Sequence, residues 1–141
     1  ALTVLVHNEE KLGVPACGVR RLAAIGGQDV PDCLRLSRET ARRLNLVRKA
    51  AYGTATAEAL GYRHGVDVGT DIILLRASLL GEVVGPMQIE VLHRGADHVF
   101  PVRAADLMPS YEGKALGRKL DELENHWIAS GFALTREDLL L

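Results

Sequence analysis

The stretch from Val99 to Leu141, VFPVRAADLMPSYEGKALGRKLDELENHWIASGFALTREDLLL, has the clearest helical pattern in the chain. Its apolar side chains recur at spacings of four, three and four, as they do on one face of an amphipathic helix. These side chains are Leu116, Leu120, Leu123 and Trp127. Gly131 stands where a helix C-cap is expected, and Thr135 is placed as the N-cap of a short final helix. The pattern predicts a helical last third with Trp127 in its core.

A pair of glycines lies beside this apolar line. Gly113 and Gly117 are one helical turn apart. They either start the helix and let a neighbouring element pack closely, or leave backbone amides free to bind an anion. The packing interpretation is the preferred one.

Upstream, the sequence reads as a series of short helices separated by glycine and proline. Helical patterns cover residues 2–10, 16–25, 57–64 and 66–80, and another begins at Gly85-Pro86 and runs to about residue 94. Ser37 is a plausible N-cap for a helix that reaches about Ala51. Residues 66–80 are apolar nearly all round and are predicted to form the buried central helix, which Gly81 ends.

These patterns predict an all-α fold. No stretch shows sustained period-two alternation, which β-strands with one solvated face require. We expect an irregular bundle of about seven to nine short to medium helices in one helical region. A subdivision into residues 1–52 and 53–141 is possible.

Composition places the chain among ordinary globular proteins. It has 141 residues, of which 48% are hydrophobic and 25% charged, with a net charge of -1. The first residues lack the features of a secretion signal, and Arg76 interrupts the longest apolar run, so neither secretion nor membrane insertion is expected. Cys17 and Cys33 are too few for a disulfide framework and are predicted to be buried free thiols in a reducing cytoplasm.

One segment carries a strong local charge. Between Arg35 and Lys49 six basic side chains face a single acid, Glu39. The six are Arg35, Arg38, Arg42, Arg43, Arg48 and Lys49. At about 100° per residue, Arg38, Arg42 and Lys49 fall on one stripe, opposite the apolar face of the predicted helix. A polyanion would meet this stripe first.

Nothing in the sequence forms a complete active site. Asp67 and Asp71 are one helical turn apart and could hold a metal or act as an acid/base pair. We prefer a structural interpretation in which an acid near a helix start interacts favourably with the helix dipole. No histidine has a nucleophile or metal partner at a recognisable spacing, and no phosphate-binding glycine loop is present. No catalytic residue and no metal ligand is therefore assigned.

Several motifs resemble one enzyme family. The last third, from VFPVRAADLM through GKALGRKLDELENHWIASGF to LTREDLL, is similar to the C-terminal end of bacterial CCA-adding tRNA nucleotidyltransferases of the poly(A) polymerase family. CLRLSRETARRL and YRHGVDVGTDIILLRASLL resemble helices that precede that end in the same family. The resemblance covers most of residues 33–140 in the family's order, and residues 1–30 contribute little to it.

The resemblance implies a tRNA-binding helical body and tail without the catalytic parts. In that family a head domain uses Mg²⁺ with CTP and ATP, and a helical neck selects the nucleotide through acids and an arginine. This sequence contains no Asp-x-Asp, and Glu137-Asp138-Leu139-Leu140-Leu141 ends in leucine where the arginine would stand. The chain would then bind the acceptor stem and elbow of tRNA and rely on a head in the same longer polypeptide.

A tRNA-binding role would account for the basic residues, because a protein that recognises tRNA by its shape needs Lys and Arg side chains against the phosphates of the RNA. The candidate RNA-binding residues are Arg38, Arg42, Lys49, Lys114, Arg118 and Lys119. The alternatives are a helical protein-interaction or oligomerisation domain without an RNA role and, as a weaker third hypothesis, a metal-dependent enzyme that uses Asp67 and Asp71. The sequence leaves open whether the chain is a stand-alone protein or part of a longer one, whether the parent adds CCA, CC or A, and the oligomeric state.

Overall fold

The computed structural model describes residues 1–27 and 34–141, which form eight α-helices and no β-strand. The helices are α1 Leu2–Leu12, α2 Gly18–Ile25, α3 Arg38–Ala51, α4 Ala57–Leu80, α5 Pro86–Ala96, α6 Ala104–Leu107, α7 Gly113–Ala129 and α8 Arg136–Leu140. The predicted all-α fold is confirmed. The chain divides into two compact units, Ala1–Asp97 and His98–Leu141, whereas the subdivision considered from the sequence lay after Tyr52.

The first unit is built around α4, as the apolar run predicted. Ile72, Leu74 and Leu75 are fully or almost fully buried, and α4 packs against α1, α2, α3 and α5. Because aliphatic side chains cover nearly every face of this helix, it can contact elements on several sides at once. The sequence predicted two helices separated by Gly65, and the structure confirms the break: Gly65 has a non-helical backbone, with φ 80° and ψ 178°, and divides α4 into two helical parts at a kink.

The most extensive packing in the first unit is between α4 and α5, and two glycines make it possible. A Cβ added to Gly61 would overlap the carbonyl oxygen of Leu92, and one added to Gly95 would overlap that of Glu58. The two backbones therefore approach so closely that only glycine fits at these positions.

Two helix ends lie where the sequence predicted them, one set by a side-chain cap and one by a glycine. The Ser37 hydroxyl accepts a hydrogen bond from the Thr40 N–H at 3.1 Å and starts α3, as predicted. Gly81 ends α4 in the left-handed conformation with φ 72°, which is also as predicted.

The second unit has a small core of its own. Trp127 is buried, as predicted, and its ring contacts those of His98, Phe100 and Phe132 at centroid distances of 5.9, 5.5 and 4.8 Å. Thr135 caps α8 through a hydrogen bond from the Asp138 N–H, also as predicted. Because buried aromatic rings bring a large apolar area, a few of them can support a short unit.

The packing interpretation of Gly113 and Gly117 is wrong for the described residues. A Cβ added to either glycine would have no atom within 4 Å. Gly113 instead lies at the start of α7 with φ 55°, a conformation that glycine adopts without strain.

Candidate nucleic-acid interface

The basic stripe on α3 is exposed in the structure. Arg38, Arg42 and Lys49 are all accessible to solvent. Within residues 1–27 and 34–141, no carboxylate forms an ion pair with any of the three. The opposite face of the helix is buried through Leu44, Val47 and Ala51, so the stripe points away from the core. Three positive charges are therefore available to a partner along one side of the helix.

Two other basic residues of the same segment are used inside the fold. Arg43 donates to a carboxylate oxygen of Asp71 from Nε at 3.1 Å and from Nη2 at 2.6 Å. Arg48 donates to the backbone carbonyl of Gly27 at 2.8 Å. Arg35 is exposed just before the helix, with φ 49°. The six positive charges counted in the sequence therefore differ in their availability to a ligand.

Beneath α3 lies a buried ionic network that joins the first four helices. Glu9 and Asp71 are each 2% exposed, and Arg20 between them is 3% exposed. Arg20 donates to Asp71 at 2.8 Å and to Glu9 at 2.9 and 2.8 Å, and a further bond goes to the Pro15 carbonyl. Arg21, which is half-buried, donates to the second oxygen of Glu9 at 3.0 and 2.7 Å.

All the charges of this network have partners, as burial requires. Burial by itself raises the pKa of Glu9, but the hydrogen bonds from Arg21 and Arg20 outweigh it and hold that pKa below its ordinary value. The hydrogen bond to Asp71 raises the pKa of Arg43 further above its already high value. Both shifts favour the charged forms of Glu9 and Arg43. We refer to Glu9, Arg20, Asp71 and Arg43 as the buried ionic network.

Asp67 and Asp71, which are one helical turn apart, have different environments in the structure. Asp67 is exposed two residues after the Gly65 kink, near the start of the second part of α4. Asp71 is buried, and both of its carboxylate oxygens accept from arginines. The role of Asp71 as an acceptor for two arginines was not predicted.

A second connection joins α4 to the end of α3. The Arg76 guanidinium donates to the carbonyls of Ala50 and Ala51 at 3.0 and 3.2 Å, and to that of Ala55 at 2.7 Å. The last carbonyls of a helix have no partner inside it, so a cation placed there both satisfies and stabilises them. Helix α3 is thus held by α4 through Arg43 in its middle and through Arg76 at its C-terminal end.

The second set of candidates lies on α7 in the other unit. Lys114 and Arg118 are exposed near the start of that helix. Lys119 is partly buried and donates to Glu122 at 3.3 Å, a surface ion pair of the kind that contributes little to stability. Lys114 and Arg118 are accessible to a ligand, and Lys119 is already paired.

The cysteine and histidine residues do not assemble into a reactive site in the described part of the chain. Cys17 is a free thiol, as predicted, but it is partly exposed rather than buried, and Cys33 lies outside the described residues. Over residues 1–27 and 34–141, no group of three or more His, Cys, Asp or Glu side chains is placed to hold a metal ion.

The first unit also carries a groove between the end of α1 and one side of α5. Its volume is about 770 Å³, and Leu12, Val14 and Ile89 are among the apolar residues that line it. Lys11 and Arg94 are exposed at its walls. A groove of this size and lining could receive an apolar side chain or a short segment of another molecule.

One feature of the sequence pointed to the buried ionic network: two polar residues lie on the apolar face of α1. Leu5, Asn8, Glu9 and Leu12 recur at the spacing of one helix face, so a polar pair stands on the apolar side of α1. Glu9 accepts from Arg20 and Arg21, and the Asn8 side chain donates to the Glu82 carbonyl and accepts from the Val84 N–H. A charge on an apolar face predicts a buried partner, although its identity does not follow from the pattern.

Comparisons of the chain with protein-family models, with curated proteins and with solved structures found no match. None of the helices that the structure describes is long and apolar enough to cross a membrane.

Proposed function

We propose that this chain is the tRNA-binding C-terminal helical portion of a CCA-adding tRNA nucleotidyltransferase, and that it acts in the cytoplasm. It would bind the acceptor stem and elbow of tRNA without catalysing nucleotide addition. Mg²⁺, CTP and ATP would be used by a head domain of the same longer polypeptide. The resemblance of residues 33–140 to that family motivates the proposal.

One observation carries the proposal: the stripe of Arg38, Arg42 and Lys49 on α3 is exposed and has no ion-pair partner among the described residues. In the same helix Arg43 and Arg48 are bonded within the fold, so the three remaining charges are not required by neighbouring groups. Positive side chains along one side of a helix can contact the phosphates of a nucleic acid, and such contacts give affinity without reading bases. Lys114 and Arg118 on α7 would make additional contacts.

Binding of tRNA over a series of salt concentrations tests the proposal. We expect the affinity of the wild-type chain to fall steeply with salt, because each phosphate contact releases counterions. The triple variant Arg38→Gln/Arg42→Gln/Lys49→Gln should bind more weakly, and its slope of log affinity against log salt should be smaller by up to about 2.7, or roughly 0.9 per lost contact.

A matched control separates this surface from the charge of the whole chain. Lys11→Gln/Arg94→Gln removes two positive charges from exposed positions elsewhere in the first unit, as Arg38→Gln/Arg42→Gln does from α3. If the two double variants weaken binding equally, the α3 stripe is not the binding surface. Absence of any tRNA binding at low salt would reject the function itself.

The reading frame upstream of Ala1 tests the catalytic half of the proposal. A strand carrying Gly-Ser followed by Asp-x-Asp is expected there if the parent is a nucleotidyltransferase of this family. An upstream frame that encodes another kind of domain contradicts that assignment, whatever the RNA affinity of the chain.

The groove beside α5 favours the second candidate function, a helical protein-interaction or oligomerisation domain without an RNA role. Its lining includes half-buried apolar residues such as Ile89. Self-association in sedimentation experiments that Ile89→Glu abolishes, together with no tRNA binding at low salt, would support this function in place of the first.

A further inference from the structure

We propose that Asp71 is a positioning residue for RNA binding, which holds α3 through Arg43 so that Arg38, Arg42 and Lys49 line up with a phosphate backbone. This inference rests on the proposed function. Asp71 lies on α4 and is buried, so it cannot touch the RNA itself. Its influence would pass through the orientation of the helix that carries the stripe.

The geometry of Asp71 favours this role over simple neutralisation of a buried charge. One oxygen accepts from Arg20 at 2.8 Å, and the other accepts twice from Arg43. A guanidinium held by two donors to one oxygen is restricted in both distance and direction. Arg43 therefore restricts the rotation of α3 about its axis, with the stripe roughly 120° away from the Arg43 side chain at about 100° per residue.

Apolar packing alone would hold α3 against the core less firmly than packing together with the arginine hydrogen bonds. The residues of α3 that face the core include the small side chains of Ala50 and Ala51 beside Leu44 and Val47. Small side chains interlock less deeply than large ones and resist sliding less. Directional hydrogen bonds hold α3 at two points along its axis: Arg43 bonds to Asp71 in the middle of the helix, and Arg76 bonds to its C-terminal end.

The direction in which Asp71→Asn changes the tRNA affinity distinguishes a positioning role from a purely electrostatic one. Asp71→Asn removes a negative charge near a surface that binds a polyanion, so a purely electrostatic model predicts tighter binding. Positioning predicts the opposite, because asparagine has a single acceptor oxygen for two arginines. With that oxygen on the buried Arg20, Arg43 would face an NH2 group, and α3 would lose its fixed rotation. Glu39→Gln makes the same charge change on the exposed side of α3 and serves as the matched control, for which both models predict equal or tighter binding.

The experiment is tRNA binding by the full chain at several salt concentrations, with helical content and thermal unfolding measured by circular dichroism on the same samples. For Asp71→Asn we expect binding several-fold weaker than wild type and a salt slope smaller by about one to two, as when one or two phosphate contacts are lost. If the variant only populated an unfolded state, the apparent affinity would fall by the folded fraction and the slope would be unchanged. That result, or unchanged or tighter binding, overturns the inference.

Arg43→Lys tests the same inference if Asp71→Asn does not fold. It keeps the charge and leaves Arg20 bonded to Asp71, but replaces a two-donor fork by a single ammonium group. Positioning predicts a smaller salt slope for this variant, and a charge-only role predicts no change. If wild type binds and the α3 triple variant does not, while Arg43→Lys behaves like wild type, only this inference fails. If the wild-type chain does not bind tRNA, the proposed function fails with it.

Discussion

The two units of the chain are stabilised by different kinds of contact. Ala1–Asp97 has an aliphatic core around α4, two helices in backbone contact at glycines, and a buried ionic network that links four helices. His98–Leu141 has a cluster of rings around Trp127, a few buried aliphatic side chains and an ion pair near its surface between Arg136 and Asp106. The comparison indicates that the first unit distributes its stability over many kinds of contact, whereas the second relies on a small core in which Trp127 is the largest side chain. Its other buried hydrophobic side chains are Val102, Leu107, Leu123 and Leu139.

Trp127→Ala should have the largest effect and should be confined to the second unit. Truncation of a buried tryptophan typically costs about 3–5 kcal/mol, which is about what a core in a unit this small can supply. We expect amide hydrogen exchange to show loss of protection across residues 98–141 while α4 and α5 remain protected. Trp127→Phe keeps an aromatic ring and should retain protection. Equal loss of protection in both units would mean that they do not fold separately.

Gly95→Ala in the first unit and Gly117→Ala in the second should change stability in opposite directions. A Cβ at Gly95 overlaps the backbone of Glu58, so α4 and α5 must separate, at a cost of about 1–3 kcal/mol or more. Gly117 lies inside α7 with open space around it, so alanine should stabilise the helix by roughly 0.5–1 kcal/mol. Thermal unfolding of the two variants measures both effects. Destabilisation by Gly117→Ala would show that this glycine packs against something that the described residues do not include.

The smallest effect is expected from the ion pair of the second unit. The hydrogen bond from Arg136, together with that from the Arg103 N–H, lowers the pKa of Asp106 to about 2. Because the folded pKa lies below the ordinary value, the stabilisation is complete above the unfolded pKa of 3.8 and is lost as the pH falls through about 2. Titration of the Asp106 carboxyl by NMR should reproduce the low value, and Arg136→Gln should raise it. Little change in that variant would assign the low pKa to the backbone donor instead.

The helices could be predicted from the sequence because their causes are local. Ser37, Thr135 and Gly81 act within a few residues of their own position, and the apolar spacing of α7 identifies Trp127 without knowledge of its neighbours. The break at Gly65 is local as well, because glycine adopts the positive φ of 80° that ends one helical part of α4 before the next begins.

The contacts between helices could not be predicted, because each depends on a partner far away in the sequence. Asp71 was considered only together with Asp67, one helical turn away, because its partners Arg20 and Arg43 lie 51 and 28 residues away. Gly113 and Gly117 resembled a packing site and are open, whereas the glycines that do pack, Gly61 and Gly95, carried no such pattern. The exposure of the α3 stripe followed from helix periodicity alone, since its opposite face is apolar.

The kink in α4 has a consequence for chirality. At φ 80° and ψ 178°, Gly65 has the mirror image of a conformation that L-residues adopt readily in extended chain, and no atom lies within 4 Å of where an L-side chain would begin. The obstacle to substitution at this position is therefore handedness and not space. A D-alanine introduced there by chemical synthesis would be expected to suit the bend, while L-alanine would be strained in it.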